Sequence, residues 1–143
     1  MEPIVNDFSI SIATVNGTGS QSANLILLQT LFDMGVPVSG KNLFPSNIAG
    51  LPTWYILRVS NQGYQAPGDR VHIQVMMNKT TWEKDLDNCL PGTVIIYNTD
   101  VKMPPPEKEG CIIYGTAMTK MARSINPKLA RMIANMVYVG VLA

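Results

Sequence analysis

The chain has 143 residues, 46% of them hydrophobic and only 15% charged, so one globular domain fits and a disordered chain is excluded. Eleven Lys plus Arg stand against ten Asp plus Glu, a net charge of +1. The basic residues are scattered singly from Lys41 to Arg131, which leaves no footprint for nucleic acid, and so sparse a charge points to buried contacts with a partner.

Met1 to Asp7 carries an acid where a secretory signal wants positive charge, and the longest apolar stretch, Met136 to Ala143, falls far short of the roughly 20 residues of a spanning helix. The expectation is a cytoplasmic protein with reduced thiols and no membrane partner. Phe8 to Val15 alternates apolar and small residues, which predicts a strand covered on at least one face. Asn16 to Ser22 is a run of turn formers that ends where helix formers begin, so strand, glycine loop and helix form the opening unit. The helix runs from Ser20 or Gln21 to Met34, with Gly35 just beyond its end and Val36-Pro37 preventing continuation. Leu25, Ile26, Leu27, Leu28, Leu31, Phe32 and Met34 cover nearly its whole circumference, which predicts burial on more than one side.

Val36 to Ser39 reads as a short strand, and Gly40 to Pro52, rich in Gly, Pro, Asn and Ser, as a structured loop. Trp54 to Val59 and Val71 to Met77 read as strands joined through Asn61 to Asp69; in the second, Val71, Ile73, Val75 and Met77 point one way and His72, Gln74 and Met76 the other. Thr80-Thr81-Trp82-Glu83 matches a capping box for a helix that turns Trp82, Leu86 and Leu90 inward and stops at Pro91-Gly92. A strand from Thr93 to Tyr97, an exposed loop from Met103 to Gly110 and a short strand from Cys111 to Tyr114 follow. Asn126-Pro127 supplies the N-cap and first-turn proline of a last helix, with Leu129, Met132, Ile133, Met136, Val137 and Gly140 on one face. This pattern reaches Ala143 without a stop signal, which reads as a single domain over 1–143, truncated at its C-terminus or docked as a subunit. Strands alternating with helices predict an α/β fold, a Rossmann-like three-layer sandwich with a mostly parallel sheet. The two successive strands between Trp54 and Met77 leave room for a mixed one.

Gly17-Thr18-Gly19-Ser20-Gln21-Ser22 supplies two glycines of a dinucleotide fingerprint but has Ser22 in the third place, and Val38-Ser39-Gly40-Lys41 stands where the ribose-binding acid is expected. NAD is disfavoured. Two readings stay open: a bare structural turn, or a phosphate-type anion site at a helix N-terminus with hydroxyls from Thr18, Ser20 and Ser22. Gly35 to Asn42 has the spacing of a P-loop, yet Asn42 replaces the magnesium-binding hydroxyl and Pro37 removes a donor, so an ATPase is rejected. Lys41 is expected at the end of the second strand, near the glycine loop, either as a phosphate contact or as a solvated lysine. His72 is the single histidine and has no carboxylate or cysteine at a suggestive spacing, so it reads as a solvent-side strand residue. Cys89 reads as core rather than nucleophile, and two distant cysteines exclude a zinc or cluster site held by this chain alone.

The segments Ile12 to Asn24, Met34 to Ile48, Gly50-Leu51-Pro52-Thr53-Trp54-Tyr55 and Arg58-Val59-Ser60, with later Met77-Asn78, Pro91-Gly92 and Asn135-Met136-Val137, resemble one family. The chain is similar to the gamma domain of the 2-oxoacid:ferredoxin oxidoreductases, in the form fused at the N-terminus of the alpha subunit of 2-oxoglutarate synthase. Other members carry a glycine-richer loop, close to G-x-G-G-x-G, where this chain has Gly17 to Ser22. The resemblance implies an assembled enzyme that oxidatively decarboxylates a 2-oxoacid with coenzyme A and passes electrons to ferredoxin. Thiamine diphosphate and iron-sulfur clusters would lie in the thiamine-binding alpha and beta portions, so the isolated chain is expected to be inactive. The gamma domain would help form the coenzyme A side, with Gly17, Thr18, Gly19, Ser20, Gln21, Ser22, Lys41 and Asn42 as candidate contacts and no catalytic residue of its own. The rival readings are a stand-alone nucleotide- or anion-binding module and a purely structural assembly domain.

Overall fold

A computed structural model describes residues 5–44 and 48–143; Pro45 to Asn47 of the expected loop, and the first four residues, lie outside them. Six strands form one sheet in the order β2-β3-β1-β4-β5-β6. They are β1 (Asp7–Val15), β2 (Val38–Leu43), β3 (Pro52–Ser60), β4 (Ile73–Met76), β5 (Val94–Asn98) and β6 (Ile112–Thr116). The helices are α1 (Ser20–Asp33), α2 (Trp82–Asp87), α3 (Met118–Ile125) and α4 (Ala130–Leu142). β4, β5 and β6 continue β1 in parallel, while β3 runs antiparallel to both β1 and β2. The fold is thus α/β with a mixed sheet in which only β3 is reversed.

Alternation along the strands sends Ile10 and Ile12 of β1, Tyr55 and Leu57 of β3, Val75 of β4 and Ile96 of β5 to one face. There they pack against Ala23 and Leu27 of α1, Met118 of α3 and Tyr138 of α4. The other face carries a smaller cluster of Met76, Trp82, Cys89 and Ile95, covered by α2. The helical layers are therefore unequal.

Several elements differ from expectation. β2 extends through Gly40, Lys41, Asn42 and Leu43 because each pairs with β3, Val38 opposite Val59 and Leu43 opposite Trp54. The tertiary ladder overrides the loop-like composition. At Gly40 a Cβ would come within 2.0 Å of the Tyr55 hydroxyl, so only glycine fits beneath that ring. The helix after β4 begins with a 3-10 turn at Lys79–Thr81, capped by Asn78, whose Oδ1 accepts from Thr80 N at 3.0 Å and Thr80 Oγ1 at 2.9 Å. The cap therefore lies two residues ahead of the expected box. Asn126 likewise caps a 3-10 turn, Pro127–Leu129, before α4.

On α1 the buried residues are Ser20, Ala23, Asn24 and Leu27, while Leu25, Ile26, Phe32 and Met34 are exposed. This chain covers one side of the helix, not several. On α4 the buried face is Ala130, Ala134, Asn135 and Tyr138, and the expected apolar face turns Leu129, Met132 and Met136 to solvent. His72 is only half-buried, and its Nδ1 accepts from the Ser9 amide at 3.0 Å.

Candidate functional site

The glycine loop joins β1 to α1 at the C-terminal edge of the parallel strands, where open α/β sheets receive ligands. Gly17 and Gly19 both hold left-handed backbone, at φ 83° and 81°, a region that a side chain disfavours. A Cβ on Gly17 would come within 3.2 Å of the Ala49 Cβ, because the 48–51 turn clamps the loop: Asn16 N donates to Leu51 O at 2.8 Å, and Gly50 N to Asn16 O at 2.9 Å. Thr18 Oγ1 closes the turn by donating to Val15 O at 2.7 Å. Gly19 is the N-cap of α1 and has no side chain with which to accept from the first-turn amides; no acidic residue sits in that turn. The positive end of a 14-residue helix is thus left open to an external anion.

α4 completes the site from the far end of the chain. Asn135 Nδ2 donates to Thr18 O at 2.8 Å, and the buried Tyr138 hydroxyl donates to Asn24 Oδ1 at 2.8 Å. Burial holds the Tyr138 phenol well above its ordinary range, so it remains a donor at any working pH. Through these contacts α3 and α4 bring Arg123, Lys128 and Arg131 to the loop. The three line a cleft of about 550 Å³ together with Gly17, Thr18, Gly19 and Thr119, and among the described residues none of the lining is a carboxylate. The N-cap Gly19 of α1 and the first turn of α4 both border this cleft, beside the three cations.

The expected site residues divide between two sides of the loop. Gly17, Thr18 and Gly19 border the cationic cleft. Ser20 and Gln21 lie on the other flank, where they form a smaller cleft of about 170 Å³ with Asn16, Asn42, Phe44 and Thr53. Asn42 is thus brought to the loop. Ser22 lies in the first turn of α1, exposed, and borders neither cleft. Lys41 is not brought there: Gly40 faces α1, where an added Cβ would also meet Leu28 at 3.2 Å, so strand alternation sends Lys41 to the opposite face of the sheet. It stands on the expected edge and the other side.

On that opposite face a further cleft of about 400 Å³ is lined by Ser11, Phe44, Trp54, Ile56 and Lys84. Asp85 anchors its wall, accepting from Trp54 Nε1 at 2.8 Å and Thr81 Oγ1 at 2.6 Å. Burial raises this carboxyl above its usual range against the lowering effect of those bonds. Burial also pushes the Cys89 thiol up to about 12, which makes it inert as a nucleophile. Among the described residues no group of three or more His, Cys, Asp or Glu is placed to hold a metal, and no helix is long and apolar enough to cross a membrane.

No curated protein sequence matches the chain. Solved structures do. The 2-oxoglutarate:ferredoxin oxidoreductase from Magnetococcus marinus, with 2-oxoglutarate, coenzyme A and succinyl-CoA bound, aligns over 97% of this chain at 27% identity and a TM-score of 0.85. This chain covers 24% of that one. The pyruvate oxidoreductase subunit PORC from Thermotoga maritima shares the fold over 96% of this chain and 75% of its own, at 18% identity and a TM-score of 0.74. The gamma subunit of a keto/oxoacid ferredoxin oxidoreductase from Geobacter sulfurreducens does so over 94% and 75%, at 15% identity and a TM-score of 0.74. Residues 9–143 match the family described as pyruvate ferredoxin/flavodoxin oxidoreductase, and the chain belongs to that family.

Proposed function

We propose that this chain serves as the gamma-type part of a 2-oxoacid:ferredoxin oxidoreductase, with 2-oxoglutarate as the 2-oxoacid, and that it receives the phosphates of coenzyme A. The observation that carries this reading is the open helix start at Gly19, faced by Arg123, Lys128 and Arg131 across one cleft free of carboxylates. The Magnetococcus marinus relative, with coenzyme A and succinyl-CoA bound, supports the choice of ligand and of 2-oxoacid. Oxidation would proceed in partner portions that hold thiamine diphosphate and iron-sulfur clusters, with ferredoxin as acceptor and the cytoplasm as the setting. This chain's part is binding and orientation: Gly17 to Gly19 let the backbone approach, and the cations neutralise phosphate charge.

Calorimetric titration with coenzyme A tests this. A charge-assisted contact contributes about 1.5–3 kcal/mol, so Arg131→Gln or Arg123→Gln should weaken binding roughly ten- to a hundredfold. Lys41→Ala, on the opposite face, serves as the control and should change it less than twofold. Equal losses in all three variants would refute the assignment. Absence of coenzyme A binding by the unaltered chain would leave an assembly domain instead.

A further inference from the structure

On the face of the sheet away from α1, the cluster under α2 takes Met76 from β4 and Ile95 from β5. Beside α2, over β1 and β3, lies the cleft of about 400 Å³. Strand alternation puts Trp54 and Ile56 of β3 on its floor, with Leu43 of β2 opposite Trp54 and Ser11 of β1 opposite Ile56. The floor is thus apolar apart from one hydroxyl. Lys84 in α2 and Asn88 at its C-cap border the same cleft and stand one helical turn apart, so their side chains project on the same side of the helix.

The side chains of Ser11, Lys84 and Asn88 make no hydrogen bond or salt bridge to any described residue. Lys84 Nζ rests 4.5 Å from the centroid of the Trp54 ring, which keeps the charge on the cleft. Ser11 is 4% exposed, and unlike the sealed hydroxyls of Ser9 and Thr14 its Oγ is not shut off from solvent. An ammonium, a carboxamide and a hydroxyl all donate hydrogen bonds, and among the described residues no carboxylate lines the cleft. Asp85, behind the wall, is 1% exposed and has its oxygens taken by Trp54 Nε1 and Thr81 Oγ1. A few free donors around aromatic and aliphatic surface, in a concavity of this size, make up the usual composition of a small-molecule site.

We propose that this cleft binds a small aromatic monocarboxylate, its ring against Trp54 and Ile56 and its carboxylate accepting from Lys84, Asn88 and Ser11. Trp54 favours a ring over an aliphatic chain, because offset and edge-to-face aromatic pairs gain more than their buried area alone provides. One ammonium matches one negative charge, whereas the three cations across the sheet suit a phosphate. The site is separate from the proposed coenzyme A cleft, since Ser11 and Trp54 lie on the other face of the sheet from α1.

The test is calorimetric titration of the full chain with naphthoate and with its uncharged amide, naphthamide. Naphthoate should bind at one site per chain, and naphthamide roughly three- to tenfold more weakly. Lys84→Gln should abolish that preference for the acid, and Lys84→Arg should keep it, which guards against a loss caused by misfolding. Ser11→Ala should weaken naphthoate roughly two- to fivefold. Arg131→Gln should leave naphthoate binding unchanged, because Arg131 belongs to the cationic cleft. No binding of naphthoate, equal affinity for acid and amide, or a preference that survives Lys84→Gln would overturn the site. A preference lost in Arg131→Gln would place the acid in the other cleft and overturn it equally. None of these outcomes decides the phosphate reading, which coenzyme A titration tests on its own.

Discussion

Gly19→Ala separates backbone strain from crowding at the candidate site. Gly19 sits at φ 81°, ψ 12°, and an L-residue held in that left-handed region is destabilised by about 1–2 kcal/mol. The added Cβ would also approach Met132 Cγ to 3.2 Å and Met132 Cβ to 3.8 Å. That contact is soft, because Met132 is 52% exposed and its side chain has room to swing outward. The backbone contribution therefore dominates, and the expected loss is about 1–2 kcal/mol. Urea unfolding monitored by the two tryptophans, Trp54 and Trp82, would report it as a lower midpoint at unchanged slope. Combining Gly19→Ala with Met132→Ala should recover only a few tenths of a kcal/mol, since the double variant relieves crowding and leaves φ where it is. Full recovery in the double variant, or no loss in the single one, would refute the claim that the left-handed turn fixes glycine here.

Tyr138→Phe should destabilise the chain by about 1–3 kcal/mol, because it strips the donor from Asn24 Oδ1 at a site where both residues are buried; denaturant unfolding checks this, and a loss below about 0.5 kcal/mol would count against it. Two groups set opposite pH trends. Burial, then the charges of Arg70 and Arg58, hold His72 below its ordinary 6.5, so the unfolded chain takes up a proton that the folded chain refuses. Stability is then lost as pH falls below about 6.5. Burial raises Asp85 above its ordinary 3.8, so the folded chain keeps a proton longer, and this contribution falls as pH climbs from 3.8 through the raised value. Thermal unfolding across pH 3 to 8, repeated with His72→Gln and Asp85→Asn, should remove the first trend and the second respectively.

The opening unit is legible in the residues because turn formers give way abruptly to an apolar run, and the observed boundary falls at Ser20. β2 is harder to read: Gly40, Lys41 and Asn42 have loop character, and their extended backbone is imposed by the ladder to β3. α3 carries no cap that sequence reveals; its N-cap is Ala117, and only Met118 and Ala122 bury. For the site, the glycine turn is local and readable, whereas Arg123, Lys128 and Arg131 lie more than 100 residues from it and arrive through the docking of α3, α4 and the turn between them. One signal was present: these three cations flank the Asn126-Pro127 helix start within nine residues, a local concentration that a count over the whole chain conceals. The side taken by Lys41 depends on strand phase, which a single residue's shift reverses.

The bonds from Asn135 to Thr18 and from Tyr138 to Asn24 span sequence separations of 117 and 114 residues. Contacts of such range close late in folding, after the loop between them has surrendered its entropy. Until α4 seats, α1 has its glycine turn but lacks Arg131, and its core side waits without Tyr138. The same coupling operates in reverse in the native state. A brief detachment of α4 would at once expose Asn24, release Thr18 and withdraw Arg131, so the anion site and the seating of the last helix open as one unit. Amide exchange at the start of α1 should therefore follow that of α4 more closely than that of β3, although β3 lies beside β1 in the sheet.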